Sequence, residues 1–164
     1  EKSVYKGSGA QPKLVGYEYA LQRQLKPDAR KDIIEKLKTE NIVPTSMIDI
    51  SDGLSSELFH ICSLSHVGCK IYDEKIPIHE QTEQICQEFS IESIISALHG
   101  GEDYELLFTV DMKQYETIKN ISDVCIIGSI VPEEQSLHLI SKAGDFVQLK
   151  AQGWANFDKK NDKV

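Results

Sequence analysis

Apolar residues recur along this chain with two different periods, one typical of helices and one typical of strands. At residues 28–41, Ile33, Ile34 and Leu37 share one helical face, with lysines and acids on the other. The apolar run at 105–110 is short and has polar flanks, which is typical of a buried strand. The pattern predicts helices at 17–25, 28–41, 53–65, 79–89, 91–98 and 113–120, and strands at 47–50, 69–72, 105–110, 124–130, 137–141 and 146–150. This order is typical of an α/β domain with helices packed on a mixed sheet.

The two ends of the chain differ in composition from the middle. Residues 1–16 contain glycines and a proline but no periodic apolar face, so we expect a linker or entry segment there. Residues 17–157 carry the regular pattern and are expected to form one domain. The polar residues 158–164 are expected to be a frayed tail.

The composition is that of an ordinary globular protein, with 164 residues of which 40% are hydrophobic and 27% charged. The formal net charge of −8 argues against nucleic-acid binding through a broad basic surface. A phosphate-bearing substrate would therefore need local metal ions, helix ends or lysines. No apolar run is long enough to span a membrane. Cys62, Cys69, Cys86 and Cys125 form no metal-like spacing, so we expect reduced thiols in a cytoplasmic protein.

The most informative stretch is residues 47–54, MIDISDGL, where an apolar strand runs into acids, a hydroxyl and a glycine before a helix. Ser51 or Asp52 is expected to cap that helix, and Gly53 allows another backbone or a phosphate to come close. Asp49 and Asp52 are three residues apart, so both carboxylates are able to face one hard cation such as Mg2+. The simpler alternative is a capped helix with one aspartate in the cap and the other in solvent. Spacing alone slightly favours that alternative.

A second stretch, residues 100–104 (GGEDY), precedes the buried strand at 105–110. Its two glycines allow backbone N–H groups to point together at a ligand. Glu102 and Asp103 offer carboxylates and Tyr104 offers a ring and a hydroxyl, which suits a cationic or hydrogen-bonding organic group. The alternative is a turn whose acids lie in solvent, and a lone GGED favours that alternative.

The third candidate is the aromatic pair Trp154 and Phe157 near the end of the chain. Aromatic faces stack on flat heterocycles or attract cations, although docking a tail against the core is their commoner use. The five histidines are scattered, and we assign none of them to catalysis. The sequence contains neither a nucleophile-elbow motif nor a Walker-type loop.

Four segments together resemble one known family. They are MIDISDGL at 47–54, GGEDYELLF at 100–108, RQLKP at 23–27, and Gly153-Trp154 with Phe157. On these residues the chain is similar to the thiamine-monophosphate kinases, a branch of the aminoimidazole-ribonucleotide synthetase-like family of ATP-using proteins. The GGEDYELLF element is the more specific to this branch, because ISDGL recurs more loosely across the wider family. The resemblance runs from about residue 17 to residue 157.

The resemblance implies the C-terminal domain fold of that family and a reaction in which ATP phosphorylates thiamine monophosphate to thiamine diphosphate with Mg2+. It assigns no catalytic base, because the acceptor is a phosphate oxygen that is already ionised near neutral pH. By position, it assigns Mg2+ to Asp49 and Asp52, the ATP phosphates to Ser51, and the thiamine part of the substrate to Glu102, Asp103, Tyr104 and one of Trp154 and Phe157.

The resemblance also implies that an N-terminal ATP-binding domain is missing from this chain, which begins at Glu1 without a methionine. We therefore expect the isolated chain to be inactive and the full-length protein to be a homodimer. Its partners would be ATP, thiamine monophosphate and the missing domain, with no nucleic acid and no membrane. Two alternatives stay open: another ATP-dependent phosphoryl-transfer member of the same family, or a non-catalytic binding domain.

Overall fold

The computed structural model describes residues 15–149, and their elements follow the predicted order. The helices are α1 (Glu18–Leu25), α2 (Lys31–Thr39), α3 (Leu54–Ser65), α4 (Glu80–Glu88), α5 (Ser93–His99) and α6 (Tyr115–Ile118). The strands are β1 (Ser46–Asp49), β2 (Val67–Tyr72), β3 (Leu106–Thr109), β4 (Gly128–Pro132), β5 (Leu137–Ile140) and β6 (Phe146–Gln148). Single-turn 3-10 helices lie at Asp73–Lys75, Met112–Gln114 and Glu133–Gln135. The predicted α/β class is confirmed.

The strands form two separate sheets. Strands β1 and β3 pair antiparallel, with Asp49 opposite Leu106. The larger sheet has the order β4-β2-β5-β6, in which β2 and β5 are parallel and the other pairs are antiparallel. A parallel pair needs a long crossover, and the chain between β2 and β5 supplies one that includes α4 and α5. The larger sheet is therefore mixed, as the sequence predicts.

Strand β3 lies between two hydrophobic clusters, which explains its continuous apolar run. The larger cluster contains Leu107 together with residues of α3, α5, β2 and β5. Leu106 and Phe108 point to the opposite face of the strand, where they pack against a cluster built from α2 and α6. Because both faces of β3 are buried, its sequence does not alternate between apolar and polar residues.

The starts of β4 and α2 differ most from the pattern-based prediction. Strand β4 begins at Gly128 rather than at 124. The residues before it are apolar because they pack into the two clusters, and not because they pair in a ladder. Helix α2 begins at Lys31 rather than at 28, after a tight turn in which the Lys31 N–H donates to the Ala29 carbonyl at 2.7 Å.

The cysteines and the helix lengths agree with the expectations from composition. Cys62, Cys69 and Cys86 are buried, Cys125 is exposed, and all four are free thiols. The longest described helix, α3, has 12 residues, and within residues 15–149 no helix is long and apolar enough to cross a bilayer.

Candidate functional site

The MIDISDGL and GGEDY motifs lie side by side at one end of the β1–β3 ladder. Hydrogen bonding continues past the ends of both strands, since the Ile50 N–H donates to the Glu105 carbonyl at 2.8 Å. The Ile50 carbonyl accepts from the Tyr104 N–H at 2.8 Å, and the Ser51 carbonyl accepts from the Glu102 N–H at 2.8 Å. Because the strands are antiparallel, the residues after β1 necessarily meet the residues before β3. The register therefore joins two motifs that are far apart in the sequence.

Two glycines permit this close approach. A Cβ on Gly101 would lie 2.7 Å from the Ser51 carbonyl oxygen, a distance that a real side chain cannot adopt. Gly53 has a φ of 107°, and a Cβ there would lie 2.8 Å from the Leu98 carbonyl oxygen at the end of α5. The prediction that Gly53 lets another backbone come close is confirmed.

The prediction that Ser51 or Asp52 caps α3 is wrong. The N-cap residue is Gly53, and it makes no side-chain capping bond. Instead, the carboxylate of Glu57 in the first turn of α3 reaches back and accepts from the Ser51 N–H at 3.2 Å and the Asp52 N–H at 2.9 Å. Glu57 is only 2% exposed. An acid of the helix therefore accepts from the free N–H groups of the preceding loop, as the glutamate of a capping box does. The Asp52 side chain stays exposed.

Sequence reasoning missed Glu57 as a site residue. A glutamate four positions after a glycine at a helix start was the available signal, because first-turn acids commonly bond back to free N–H groups. It escaped notice because the apolar stripe of α3 passes through neighbouring positions. A buried acid cannot be distinguished from an exposed one by spacing alone.

Acidic side chains and one phenol gather where the two motifs meet. Asp49 and Asp52 are exposed, and the Tyr104 hydroxyl donates to the Glu102 carboxylate at 2.9 Å. That hydrogen bond raises the pKa of Tyr104, and the charges of Asp49 and Asp52 act in the same direction. The four predicted residues therefore share one electrostatic environment, which is negative and suited to cations.

The loop that carries Glu102 and Tyr104 is conformationally strained. Glu102 has a φ of 68° and Tyr104 a φ of 56°, so both non-glycine residues adopt the left-handed region. Each such residue costs about 1–2 kcal/mol relative to the right-handed region. Backbone of this kind persists where surrounding contacts enforce it, and it is concentrated at binding and catalytic sites.

Arginines from α1 and from the start of α2 reach the same loop. Arg23 and Arg30 both contact the Glu105 carboxylate, and Arg23 also donates to the Asp103 carbonyl at 3.0 Å. The Asp103 side chain is about half exposed, at 49%. Partial desolvation raises its pKa, and the like charge of Glu105 adds to this, whereas Arg23 lowers it. Asp103 therefore interacts with the charges of Arg23 and Glu105, whereas its neighbours Glu102 and Tyr104 interact with each other.

Asp49 and Asp52 are the candidate ligands for a magnesium ion. Among residues 15–149, no group of three or more histidine, cysteine, aspartate or glutamate side chains is arranged to enclose a metal. Two exposed carboxylates are compatible in chemistry with a partial site, because Mg2+ commonly uses one or two carboxylates together with substrate phosphates and water. The two aromatic candidates, Trp154 and Phe157, lie outside the described residues.

We expect Gly53→Ala to lower the free energy of unfolding by about 2–3 kcal/mol, because the added Cβ meets backbone at an unfavourable φ. Gly144→Ala is the matched control, since Gly144 has a φ of 89° but nothing within 4 Å of an added Cβ. That control isolates the dihedral cost of about 1 kcal/mol. Urea unfolding measures both, and equal losses would mean that the contact with α5 contributes nothing.

Sequence comparison identifies curated relatives of this chain. No protein-family model matches the chain. The thiamine-monophosphate kinase of Aquifex aeolicus is 30% identical over 142 residues, which is 86% of this chain and 42% of the relative. That of Pyrococcus horikoshii is 35% identical over 150 residues, which is 91% of this chain and 43% of the relative. This chain is a homologue of the thiamine-monophosphate kinases.

Solved structures agree with the thiamine-monophosphate kinase relationship. A crystal structure of that enzyme from Aquifex aeolicus has a TM-score of 0.65 and 28% identity, over 89% of this chain and 45% of the other. The structure of AaThiL complexed with AMPPCP and TMP has a TM-score of 0.67 and 30% identity, over 90% and 44% respectively. A structure of the hydrogenase maturation protein HypE with ATP, at 17% identity and a TM-score of 0.60, shares the fold alone.

The comparisons confirm the family resemblance that the sequence carries, and the fold with it. The chain spans about 42–43% of the length of these two curated relatives. The geometry brings together Asp49, Asp52, Glu102 and Tyr104, with Ser51 between the two aspartates. The functions assigned to these individual side chains stay predictions.

Proposed function

We propose that this chain is the C-terminal part of a kinase that transfers the γ-phosphoryl group of ATP to thiamine monophosphate, giving thiamine diphosphate. The main observation in support is the hydrogen-bonded junction of the two motifs, in which Ile50 and Ser51 pair with Tyr104 and Glu102. The side chains proposed to bind phosphate and those proposed to bind the organic group are thereby next to each other at one edge of the domain. The relationship to thiamine-monophosphate kinases supports the same reaction.

Phosphoryl transfer to a phosphate acceptor needs alignment and charge neutralisation more than a strong base. The attacking acceptor oxygen is ionised near neutral pH, so we assign no catalytic base. The exposed carboxylates of Asp49 and Asp52 would hold Mg2+, which neutralises phosphate charge. The Ser51 hydroxyl, which donates to the Glu57 carboxylate at 3.4 Å, would turn to donate to an ATP phosphate oxygen. Glu57 contributes by fixing the backbone between those aspartates.

The GGEDY motif at 100–104 would bind the organic part of the acceptor. Glu102 offers a carboxylate to the thiazolium cation, and the ring of Tyr104 offers an aromatic face. Asp103 lies between them, and one of Trp154 and Phe157 would complete the contact. The hydrogen bond from the Tyr104 hydroxyl to the Glu102 carboxylate keeps these two side chains on the same side of the loop.

The proposal includes a division of the active site between two parts of a longer protein. Two carboxylates leave most of the magnesium coordination to phosphates, water and groups outside this chain. We therefore propose that an N-terminal domain completes the ATP site and mediates homodimer formation. The free cysteines support a cytoplasmic location for the whole protein.

We expect the 164-residue chain alone to show no measurable phosphoryl transfer, and the full-length protein to phosphorylate thiamine monophosphate in an ATP- and Mg2+-dependent manner. The assay follows ADP release with a panel of acceptors that share a phosphate and differ in the organic group. A different preferred acceptor would favour another member of the wider family. Turnover by the isolated chain would contradict the divided site, and binding without turnover by the full-length protein would favour a non-catalytic domain.

A further inference from the structure

Helix α1 lies at the surface of the domain and makes specific contacts near both of its ends. It contains no buried residue, although part of it is half-buried. At its N-terminal end, the Tyr19 ring stacks on His79 with 3.6 Å between centroids, and the Tyr19 N–H donates to the Gln81 side chain at 3.1 Å. At its C-terminal end, Arg23 extends to the GGEDY loop. Arg23 therefore connects α1 with the candidate site.

Arg23 contacts the residues on both sides of Tyr104, namely Asp103 and Glu105. Its Nη2 atom lies 3.0 Å from the Asp103 carbonyl oxygen and 2.5 Å from the Glu105 carboxylate. The same atom is 3.7 Å from the Asp103 carboxylate. The Arg23 side chain is 25% exposed, so these contacts are partly shielded from water, and charge-assisted hydrogen bonds of this kind are stronger than neutral ones.

The Glu105 carboxylate is oriented by a second arginine. Its other oxygen accepts from Arg30, which lies at the N-cap position of α2. Arg30 is itself held by a bidentate pair with Asp32, with Nε–Oδ1 and Nη2–Oδ2 distances of 3.0 and 2.9 Å. The Glu105 backbone carbonyl is also used, because it accepts from Ile50. Glu105 is therefore held in place by Arg30 and Ile50, so that Arg23 binds a carboxylate whose position is already fixed.

Tyr104 lies between the two positions that Arg23 contacts, and Glu102 lies directly before them. Both residues have positive φ, and their N–H groups are bonded to the backbone after β1. Arg23 adds contacts at positions 103 and 105, which alternate with the two strained residues. Sparsely populated backbone conformations persist where surrounding contacts of this kind enforce them.

We propose that Arg23, acting through Asp103 and Glu105, is a positioning residue that holds Glu102 and Tyr104 in the conformation that receives the organic part of the phosphate acceptor. This inference rests on the proposed function and goes further by assigning acceptor affinity to a residue of α1 that acts through its contacts with the loop. A simple surface ion pair would contribute little to stability and nothing to substrate selectivity. The two roles therefore differ in what they predict for enzyme kinetics.

The test uses the full-length protein with Arg23→Met, Arg23→Lys and the control Lys26→Met. Lys26 is exposed at the C-cap of α1, and its side chain has no partner among the described residues 15–149. We expect Arg23→Met to raise KM for thiamine monophosphate about tenfold, equivalent to about 1.4 kcal/mol, with kcat and KM for ATP changed less than about twofold. Arg23→Lys should recover part of that loss, because an ammonium retains charge but not the planar geometry. The Lys26 variant should match the wild type.

Glu105→Gln supplies an independent arm. It should raise KM for the same acceptor, and the Arg23→Met/Glu105→Gln double variant should raise KM by less than the product of the two single effects, because the two substitutions share the Arg23–Glu105 contact. Partial unfolding would instead lower apparent kcat without changing KM. Unchanged KM in Arg23→Met would overturn the positioning role alone, as would equal increases in KM for ATP and acceptor. A wild-type protein that fails to phosphorylate thiamine monophosphate would overturn the proposed function and, with it, this role.

Discussion

Replacing Asp52 by asparagine in the full-length protein is expected to lower kcat about a thousandfold, or about 4 kcal/mol, while the fold remains intact. The Asp52 side chain is exposed, and within residues 15–149 its carboxylate accepts no hydrogen bond. Its N–H, which Glu57 binds at 2.9 Å, is unchanged by the substitution. Asparagine keeps one oxygen but loses the charge that Mg2+ requires, so the loss should fall on turnover.

The matched control for Asp52→Asn is Asp145→Asn, which removes the same charge from the exposed turn before β6. That control should leave both kcat and thermal stability unchanged. For Asp52→Asn, partial recovery at high Mg2+ concentration would support a weakened metal site. A parallel loss of stability and activity would instead mean that Asp52 has a structural role in the loop.

Replacing Glu57 by alanine is expected to cost about 4 kcal/mol of unfolding free energy, because the backbone N–H groups of Ser51 and Asp52 lose their acceptor. For a chain of this size, a loss of that magnitude lowers Tm by about 8–16 °C. Glu57 is 2% exposed, so water does not readily replace the missing oxygen. Urea and thermal unfolding of the chain measure the effect.

Glu35→Ala is the control for the helical context of Glu57. Glu35 is an exposed glutamate inside α2, and its removal should change stability by less than about 0.5 kcal/mol. Glu57→Gln retains an acceptor oxygen at similar volume and should cost less than Glu57→Ala. If Glu57→Ala were as mild as Glu35→Ala, the bonds to the loop after β1 would be irrelevant to stability.

Hydrophobic periodicity predicted most of the described fold, for reasons visible in individual elements. Helix α2 was recognisable because Ile33 and Leu37 are buried on one face, and helical spacing reports that burial directly. Strand β3 was recognisable from its length and flanks, although its burial on both faces removes any alternation. The start of β4 was misplaced, because burial at 124–127 produces the same apolar run as strand pairing.

Some residues of the candidate site were predictable from the sequence, and others became evident only from the structure. Asp49, Asp52, Glu102 and Tyr104 stood out from the sequence because glycines and acids next to a strand end are an unusual local combination. Glu57 did not stand out, and Arg23 and Glu105 were noted only as members of the segments that carry the family resemblance, because a glutamate or arginine in a helix or at a strand end is common. Their importance depends on partners that the fold brings near, such as the Ser51 N–H or the Asp103 carbonyl.

Local residue patterns alone therefore determined the order of elements, the two motifs and the family to which they point. They did so because helical period, strand length and motif composition are properties of neighbouring residues. The tertiary structure decided that the motifs adjoin, because the antiparallel pairing of β1 with β3 sets their register. It also decided that the buried Glu57 binds the backbone of the MIDISDGL motif and that Arg23 of α1 binds the GGEDY loop. The β1–β3 pairing and the Arg23 contact join residues far apart in the chain, and local sequence does not encode which distant partner each will meet. The Glu57 bonds are local, but the burial of Glu57 depends on the tertiary packing around α3.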